Sequence, residues 1–289
     1  MTVSPTTAVA RWKAVALGLL FALAGLVIWN GADRKASDAT QPLSQSPAPK
    51  ALRSAPQTLK LGSFNIHSGK GRDGVLNLSR TAELLSDIDF VGLYEVRATS
   101  QTNQPNQAAS LASLCEAAWL FAPTEQQWWT NHFGNGLLFR RPLRSVMRIP
   151  LVNTRGKAYR NSILSTVELE HADVQIISVH IDRENDRRSQ LQSMIDLFLG
   201  LQAPCVLMGD LNTTEGDPLL IGLRDRQGVH SPLHESLEQG PPSGTIDWIF
   251  TRGLKTISAA LIDNGASDHP FVKVELAPLD LPEDDRQQR

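Results

Sequence analysis

The sequence predicts an α/β (α+β) fold in which two β-sheets pack face to face with helices outside. Three observations lead there. Runs with strand-like and helix-like periodicity are interleaved along most of the chain. The strands are numerous enough to call for two sheets rather than one. Several strands end in polar or charged residues, as at one open edge of a sandwich. The composition of the 289 residues, 41% hydrophobic and 20% charged, is that of a globular protein. A net charge of -2 does not describe a general nucleic-acid binder, which is usually basic. Cys115 and Cys205 are too few for a disulfide framework and lack metal-ligand spacing.

The elements follow in chain order. Ala14 to Trp29 is apolar throughout, with Arg11 and Lys13 ahead of it and no small-residue cleavage site behind it. Residues 1–32 therefore read as a short stub and an uncleaved membrane anchor in preference to a removed signal. Arg11 and Lys13 favour an inside N-terminus, against which Arg34 and Lys35 weigh. The favoured orientation puts the rest of the chain outside the cytoplasm, in a periplasmic or extracellular space. Residues 33–57, with Pro42, Pro47, Pro49 and Pro56 among Ser, Ala and Gln, read as a flexible linker. Residues 58–279 are the folded part. Strands are expected at Leu59–Ile66, Phe90–Val96, Gly136–Phe139, Ser145–Leu151, Ser162–Leu169, Val174–His180, Cys205–Gly209, Thr245–Phe250, Ala259–Ile262 and Phe271–Leu276. Helices are expected around Leu78–Leu85, at Gln107–Ala118 and at Asp186–Leu199. Residues 280–289 form a charged tail.

The strand ends hold the chemistry. Asn65, Glu95, His180 and the Asp210–Asn212 turn each follow an apolar strand. Asp247 lies within one, and Asp268 and His269 precede another. Taken singly, each has a plain reading as a turn former, a cap or a solvated charge. Asp247 between Ile246 and Trp248 is harder to dismiss, because a buried carboxylate is costly without a partner. If the strand ends meet, they form a cluster of carboxylates, amides and imidazoles. Such a donor set suits a hard cation, Mg²⁺ or Mn²⁺, and not a structural zinc site.

Seven segments in this order resemble the endonuclease/exonuclease/phosphatase superfamily, the deoxyribonuclease-like fold. They are GSFNIHSGKG (62–71), DFVGLYEV (89–96), GNGLLFR (134–140), IISVHID (176–182), VLMGDLN (206–212), TIDWIF (245–250) and SDHPFV (267–272). The resemblance implies a four-layer α/β/β/α sandwich of two mixed sheets, with the active site at one edge, and a metal-dependent phosphoester hydrolase. It implies Glu95 as principal metal ligand with Asn65 beside it, and Asp268 completing that metal site or a second one. Asp210 would orient or deprotonate the attacking water, with Asn212 holding it or the phosphate. His269 would pair with Asp247, and His180 and Asn135 would face the phosphate along with Asn212 and His269. The chain departs from the pancreatic deoxyribonuclease branch at one place. There a Glu follows an Arg on a central strand and supports the histidine matching His180; here Asn161 follows Arg160. That makes His180 a hydrogen-bond donor to phosphate rather than a full general acid.

The resemblance implies a phosphodiester or phosphomonoester substrate, with nucleic acid the leading expectation. A lipid or inositol-phosphate headgroup is the alternative, and a catalytically inactive binding module is third. Arg140, Arg141, Arg144, Arg148, Arg155, Lys157 and Arg160 crowd one segment without an acidic residue. They read as a polyanion track or, equally, as the solvated face of a strand pair. Trp128 and Trp129 are suited to stacking a base or dipping into a membrane, or else one lies in the core and one on the surface. Nothing in the sequence points to a protein partner.

Overall fold

The computed structural model describes residues 5–40, 42–47, 56–98, 106–155 and 158–279. It opens with a single long helix, α1 (Pro5–Ala32). The stretch Trp12–Ala32 has a mean hydropathy of 2.0 over a membrane-spanning length and is almost wholly unburied by protein. Its 21 residues rise about 1.5 Å each, close to the ~30 Å hydrocarbon thickness of a bilayer. The helix thus extends past both ends of the apolar run, and by length and composition it is a candidate single anchor.

The strands that follow are β1 (Lys35–Ala36), β2 (Ser44–Gln45), β3 (Leu59–Asn65), β4 (Phe90–Arg97), β5 (Ala118–Gln127), β6 (Thr130–Phe139), β7 (Leu143–Pro150), β8 (Asn161–Glu168), β9 (Asp173–His180), β10 (Cys205–Asp210), β11 (Val229–His230), β12 (Asp247–Arg252), β13 (Leu254–Ile262) and β14 (Phe271–Pro278). The helices between them are α2 (Leu78–Leu85), α3 (Gln107–Cys115), α4 (Arg187–Gly200), α5 (Pro218–Arg224) and α6 (Pro232–Ser236). Strands β1-β5-β6-β4-β3-β14-β13 form one sheet, with β2 also on β5; β11-β12-β10-β9-β8-β7 form the other. Both are mixed, since β3 runs parallel to β4 and β9 parallel to β10 while their other neighbours are antiparallel.

Alternation along the strands separates the layers. In β3 and β4, Leu59, Leu61 and Phe90 point between the sheets, and Phe64, Val91, Leu93 and Val96 point outward to α2 and α3. Leu191, Met194, Ile195 and Phe198 of α4 cover the other sheet. The architecture is the expected four-layer sandwich. Asn77 and Asn106 cap α2 and α3 by accepting from Ser79 N and Ala109 N, which marks where each helix starts. Glu116 in a left-handed conformation ends α3 earlier than its apolar run suggests.

Two differences from the expected elements have physical causes. Strand β5 is not legible because Pro123 and a polar end interrupt its pattern. Pro123 falls between the residues paired by β1 and those paired by β2, where the missing N–H loses no bond to them. The second difference is the linker. Lys35 and Ala36 pair with Gln126 and Glu125, and Ser44 and Gln45 pair with Phe121 and Leu120. Residues 33–47 are therefore not a free tether over their described length; they cover the open hydrogen-bonding edge of β5, which a sheet otherwise leaves exposed. The remainder of the linker at 48–55, residues 99–105 and the 280–289 tail fall outside the described residues. Both cysteines are free and buried, each in a different core cluster.

Candidate active site

Three neighbouring strands supply the floor of the site. Asp210 is in register with His180 on one side and with Asp247 on the other. All three lie at one edge of the sandwich, His180 and Asp210 ending their strands and Asp247 beginning β12, and each is no more than 2% exposed. The close approach of β10 to β9 depends on Gly209, where a β-carbon would overlap the Val179 carbonyl oxygen. From the facing sheet, the loop before β14 delivers His269. Its Nδ1 lies 2.7 Å from Asp247 Oδ2 and its Nε2 lies 3.9 Å from Asp210 Oδ2. His180 Nε2 stands 3.4 Å from the same Asp210 oxygen.

Asn65 ends β3 and bridges the two sheets. Its Nδ2 donates to Asp210 Oδ2 at 3.0 Å and to Glu95 Oε1 at 3.4 Å, and its Oδ1 accepts from His67 N at 3.0 Å. Glu95 reaches this place through a bulge. Alternation would turn it to the helix-covered face, but pairing with β6 skips between Leu93 and Val96, and Glu95 adopts φ +58. The extra residue re-aims its carboxylate to the edge while Val96 keeps the outer face. Asn212 donates its backbone N–H to Asp210 Oδ1 at 3.0 Å, and its side-chain amide donates to Ile181 O at 2.9 Å.

Burial decides the protonation states. It pushes the Asp210 carboxyl up, to about 7, and the neighbouring Asp247 charge adds to the rise; His269, Asn65 and Asn212 oppose it. Burial also raises Asp247, against the hydrogen bond from His269. On His269 burial acts downward, but the Asp247 hydrogen bond and the surrounding carboxylates outweigh it and leave the imidazole at about 9. His180 goes the other way, held well below the ordinary histidine value by burial and by the Arg160 and His269 charges. One imidazole is thus a cation and the other neutral at pH 7.

Two expected residues sit apart from this cluster. Asp268 lies at the exposed rim, with Oδ1 3.5 Å from His67 Nδ1 and accepting from Ser267 Oγ at 3.2 Å. Asn135 is buried on β6, where its Nδ2 donates to Asn161 O at 2.9 Å and Oδ1 at 3.0 Å. Asn161, at the position of the family departure, does not support His180 through its amide; it donates to Pro123 O at 2.9 Å and ties the sheets together.

Several contributors escaped the sequence reading. Tyr94 Oη lies 3.0 Å from Ser178 Oγ and 3.4 Å from Ser63 Oγ, forming a polar floor beneath the His180 ring. Its inward phase in β4 was the available signal. Ser267 Oγ donates to Asn65 O at 2.7 Å and seats the His269 loop. Arg160 places its charge among Asp182, Glu95, Glu125 and Asp210. Of the rest of the basic segment, Lys157 lies outside the described residues, and the four arginines from Arg140 to Arg148 are dispersed. Arg140 binds the carbonyls of Ile88 and Cys115, Arg141 binds Asp89, Arg144 binds Glu168 and Asp173, and Arg148 binds Asp38 O. These contacts are inward or local and do not line a polyanion track. Trp128 and Trp129 are both exposed, at 39% and 58%.

The donor set meets the needs of a divalent cation. Asp210, Asp247 and His269 each offer an atom within 4.8 Å of the others. Glu95 adds a further carboxylate oxygen, the ligand type hard cations prefer, while Asn65 turns its Nδ2 to Glu95 and Asp210 and its Oδ1 to His67 N.

Known proteins share this fold. A structure described as an endonuclease/exonuclease/phosphatase from Beutenbergia cavernae DSM 12333 superposes with a TM-score of 0.62 at 22% identity, covering 77% of this chain and 72% of that one. The human nocturnin catalytic domain with bound sulfate gives 0.59 at 18% identity, covering 78% and 96%. A mannosyl-6-phosphatase from Bacteroides thetaiotaomicron VPI-5482 gives 0.58 at 14% identity, covering 76% and 99%. At these identities the likeness is one of fold. No curated protein sequence matches the chain. The profile of the Endonuclease/Exonuclease/phosphatase family matches residues 62–269, a span that holds every residue of the cluster just described. By that match, over well more than half its length, the chain belongs to the endonuclease/exonuclease/phosphatase family, whose members hydrolyse phosphoesters.

Proposed function

We propose that the protein is a Mg²⁺- or Mn²⁺-dependent phosphodiesterase that directs water in line at phosphorus. The observation that carries this reading is Asp210, a buried carboxylate of raised pKa standing within 4 Å of both His180 Nε2 and His269 Nε2. Glu95 and Asn65 are the residues we assign to the metal, with Asp268 at the rim as a further carboxylate. A bound cation there would neutralise charge on the phosphoryl oxygens. In the structure the Asn65 amide nitrogen faces Glu95, so its ligating role requires its oxygen to turn toward the cation.

The remaining work falls to the side chains. Asp210, held by Asn65 and by the Asn212 N–H, orients the attacking water and takes its proton. Asp247 fixes the His269 ring and stabilises its charge, which leaves the other ring nitrogen as a charged donor toward the phosphoryl group. Neutral His180 donates a second hydrogen bond. We assign Asn212 to the phosphate side through the turn it shares with Asp210; Asn135, whose amide N–H groups are given to Asn161, would have to release them to reach a phosphate.

The test uses the full chain in detergent with bis-(p-nitrophenyl) phosphate and the corresponding monoester. Diester hydrolysis that needs Mg²⁺ or Mn²⁺ and stops with chelator is expected. His269→Ala and Asp210→Ala should each lower turnover by roughly 10²–10⁴-fold without loss of circular-dichroism signal. Parent-level turnover by either folded variant would refute the roles, and activity on the monoester alone would replace the diesterase reading with a phosphatase.

A further inference from the structure

The tip of the β5–β6 hairpin is an unusual turn. Gln127 pairs with Thr130 across Trp128 and Trp129, whose φ angles are +52 and +61. A two-residue hairpin of this kind favours Asn-Gly, because both central positions need the left-handed region. Two tryptophans there carry strain of about 1–3 kcal/mol each. Neither ring enters a core cluster: Trp128 lies against Gly31 and is 39% exposed, and Trp129 is 58% exposed.

The same tip is fastened to the end of α1. Trp128 N donates to Gly31 O at 2.6 Å, and Gln127 Nε2 donates to Ala32 O at 2.6 Å, satisfying carbonyls that a helix end leaves open. Gly31 is buried against the Trp128 ring, which would overlap a β-carbon at that position. Lys35 enters the sheet opposite Gln126 almost directly after the helix ends, and Ser37 Oγ donates to Asn131 Oδ1 at 2.9 Å across the base of the turn. Helix end and hairpin tip are one unit without slack. Trp29, 79% exposed, lies within a turn of that junction, and Trp12, 74% exposed, lies near the other end of the apolar stretch. Tryptophans at both ends of a span mark the two membrane interfaces. Trp29, Trp128 and Trp129 then share one level.

The hairpin also points in a definite direction. β5 ends and β6 begins at the edge where β3, β4, β9 and β10 deliver Asn65, Glu95, His180 and Asp210. Gly134 of β6 pairs with Val96, next to Glu95, so Trp129 lies about 15–20 Å beyond the site at ~3.4 Å per residue.

We propose that the Trp128–Trp129 hairpin, clamped to the end of α1, docks in the bilayer interface and holds the catalytic edge toward the membrane, so that the site acts on phosphoesters borne by lipid headgroups. The substrate part rests on the phosphodiesterase reading; the docking part does not. A tip inserted by ~5–10 Å, as interfacial segments are, leaves the site about 10 Å above the headgroup plane. That is the reach of a phosphate carried on a sugar or polyol headgroup. A long soluble polymer would have to enter the gap between protein and membrane.

The experiment reconstitutes the full chain in phosphatidylcholine vesicles with phosphatidylglycerol and a phosphoinositide as minor components. Trp12→Phe and Trp29→Phe leave the hairpin as the exposed tryptophan source, and lipid brominated near the headgroup should quench it. Trp128→Asn/Trp129→Gly, which suits the turn, should lose that quenching. It should also lower release of lipid phosphate or headgroup by at least about ten-fold, the scale on which tethered concentration acts. Its hydrolysis of bis-(p-nitrophenyl) phosphate should remain within about two-fold of the parent. Absence of quenching overturns the docking surface. Quenching together with rapid cleavage of added oligonucleotides and no lipid product overturns the substrate class. Failure on the soluble diester with quenching intact would count against the phosphodiesterase reading and leave the docking surface standing.

Discussion

Asp210 is the residue on which chemistry and stability oppose each other. Burial makes its charge unfavourable, yet the proposed reaction needs that charge. Its folded pKa of about 7 lies above an unfolded value of about 4, so the folded state holds the proton more tightly. The associated stability is fully present below pH 4 and is lost as pH rises through 7. Asp210→Asn removes this loss and can still accept from Asn65. We expect it to exceed the parent by about 2–3 kcal/mol at pH 8 without divalent metal, with the gain shrinking at pH 5, read by denaturant melts at both values. A variant less stable than the parent at pH 8 would show that the carboxylate is favourably held. The residue-scale logic of stability traded for function is general, and here it has a named atom.

At the scale of elements, register does most of the positioning. The row His180–Asp210–Asp247 exists because β9 and β10 stop where β12 begins, and Gly209 lets β10 lie against β9. Gly209→Ala would press a methyl group onto the Val179 carbonyl, which is backbone and cannot swing aside. A loss of about 2–4 kcal/mol is expected, seen as a lower urea midpoint at unchanged m-value, together with reduced diester turnover. Parent-like stability would mean the strands separate without cost. Much of this scale could be read in advance. The apolar strands with their polar ends placed Asn65, Glu95, His180, Asp210, Asp247 and His269 at one edge. The bulge that aims Glu95 could not be read, because it depends on β4 pairing with β6, a contact between segments far apart in sequence.

At the scale of the molecule, the described part of residues 33–47 links α1 to the sandwich by covering the β5 edge. A chain beginning at Asp33 should therefore be more stable than one beginning at Thr58, and less prone to associate through the open strand. Thermal melts and light scattering on the two chains would check this, and identical behaviour would return the segment to a plain tether. The same contacts hold the end of α1 to the hairpin tip, so under the proposed docking the active edge would take a fixed orientation to the membrane.

The sequence by itself determined the sandwich, the apolar N-terminal run and the set of polar strand ends, which follow from periodicity and from residue type at strand termini, both local; the family came from the resemblance of seven ordered motifs. Only the tertiary structure decided which donors meet: that Asn65 bridges Glu95 and Asp210, that Asn135 turns to Asn161, that Asp268 stays at the rim. It alone decided that two tryptophans belong to the same surface as the helix end. Those outcomes depend on strand order and on a pairing between residues 31 and 128, and no periodic pattern encodes a contact at such separation.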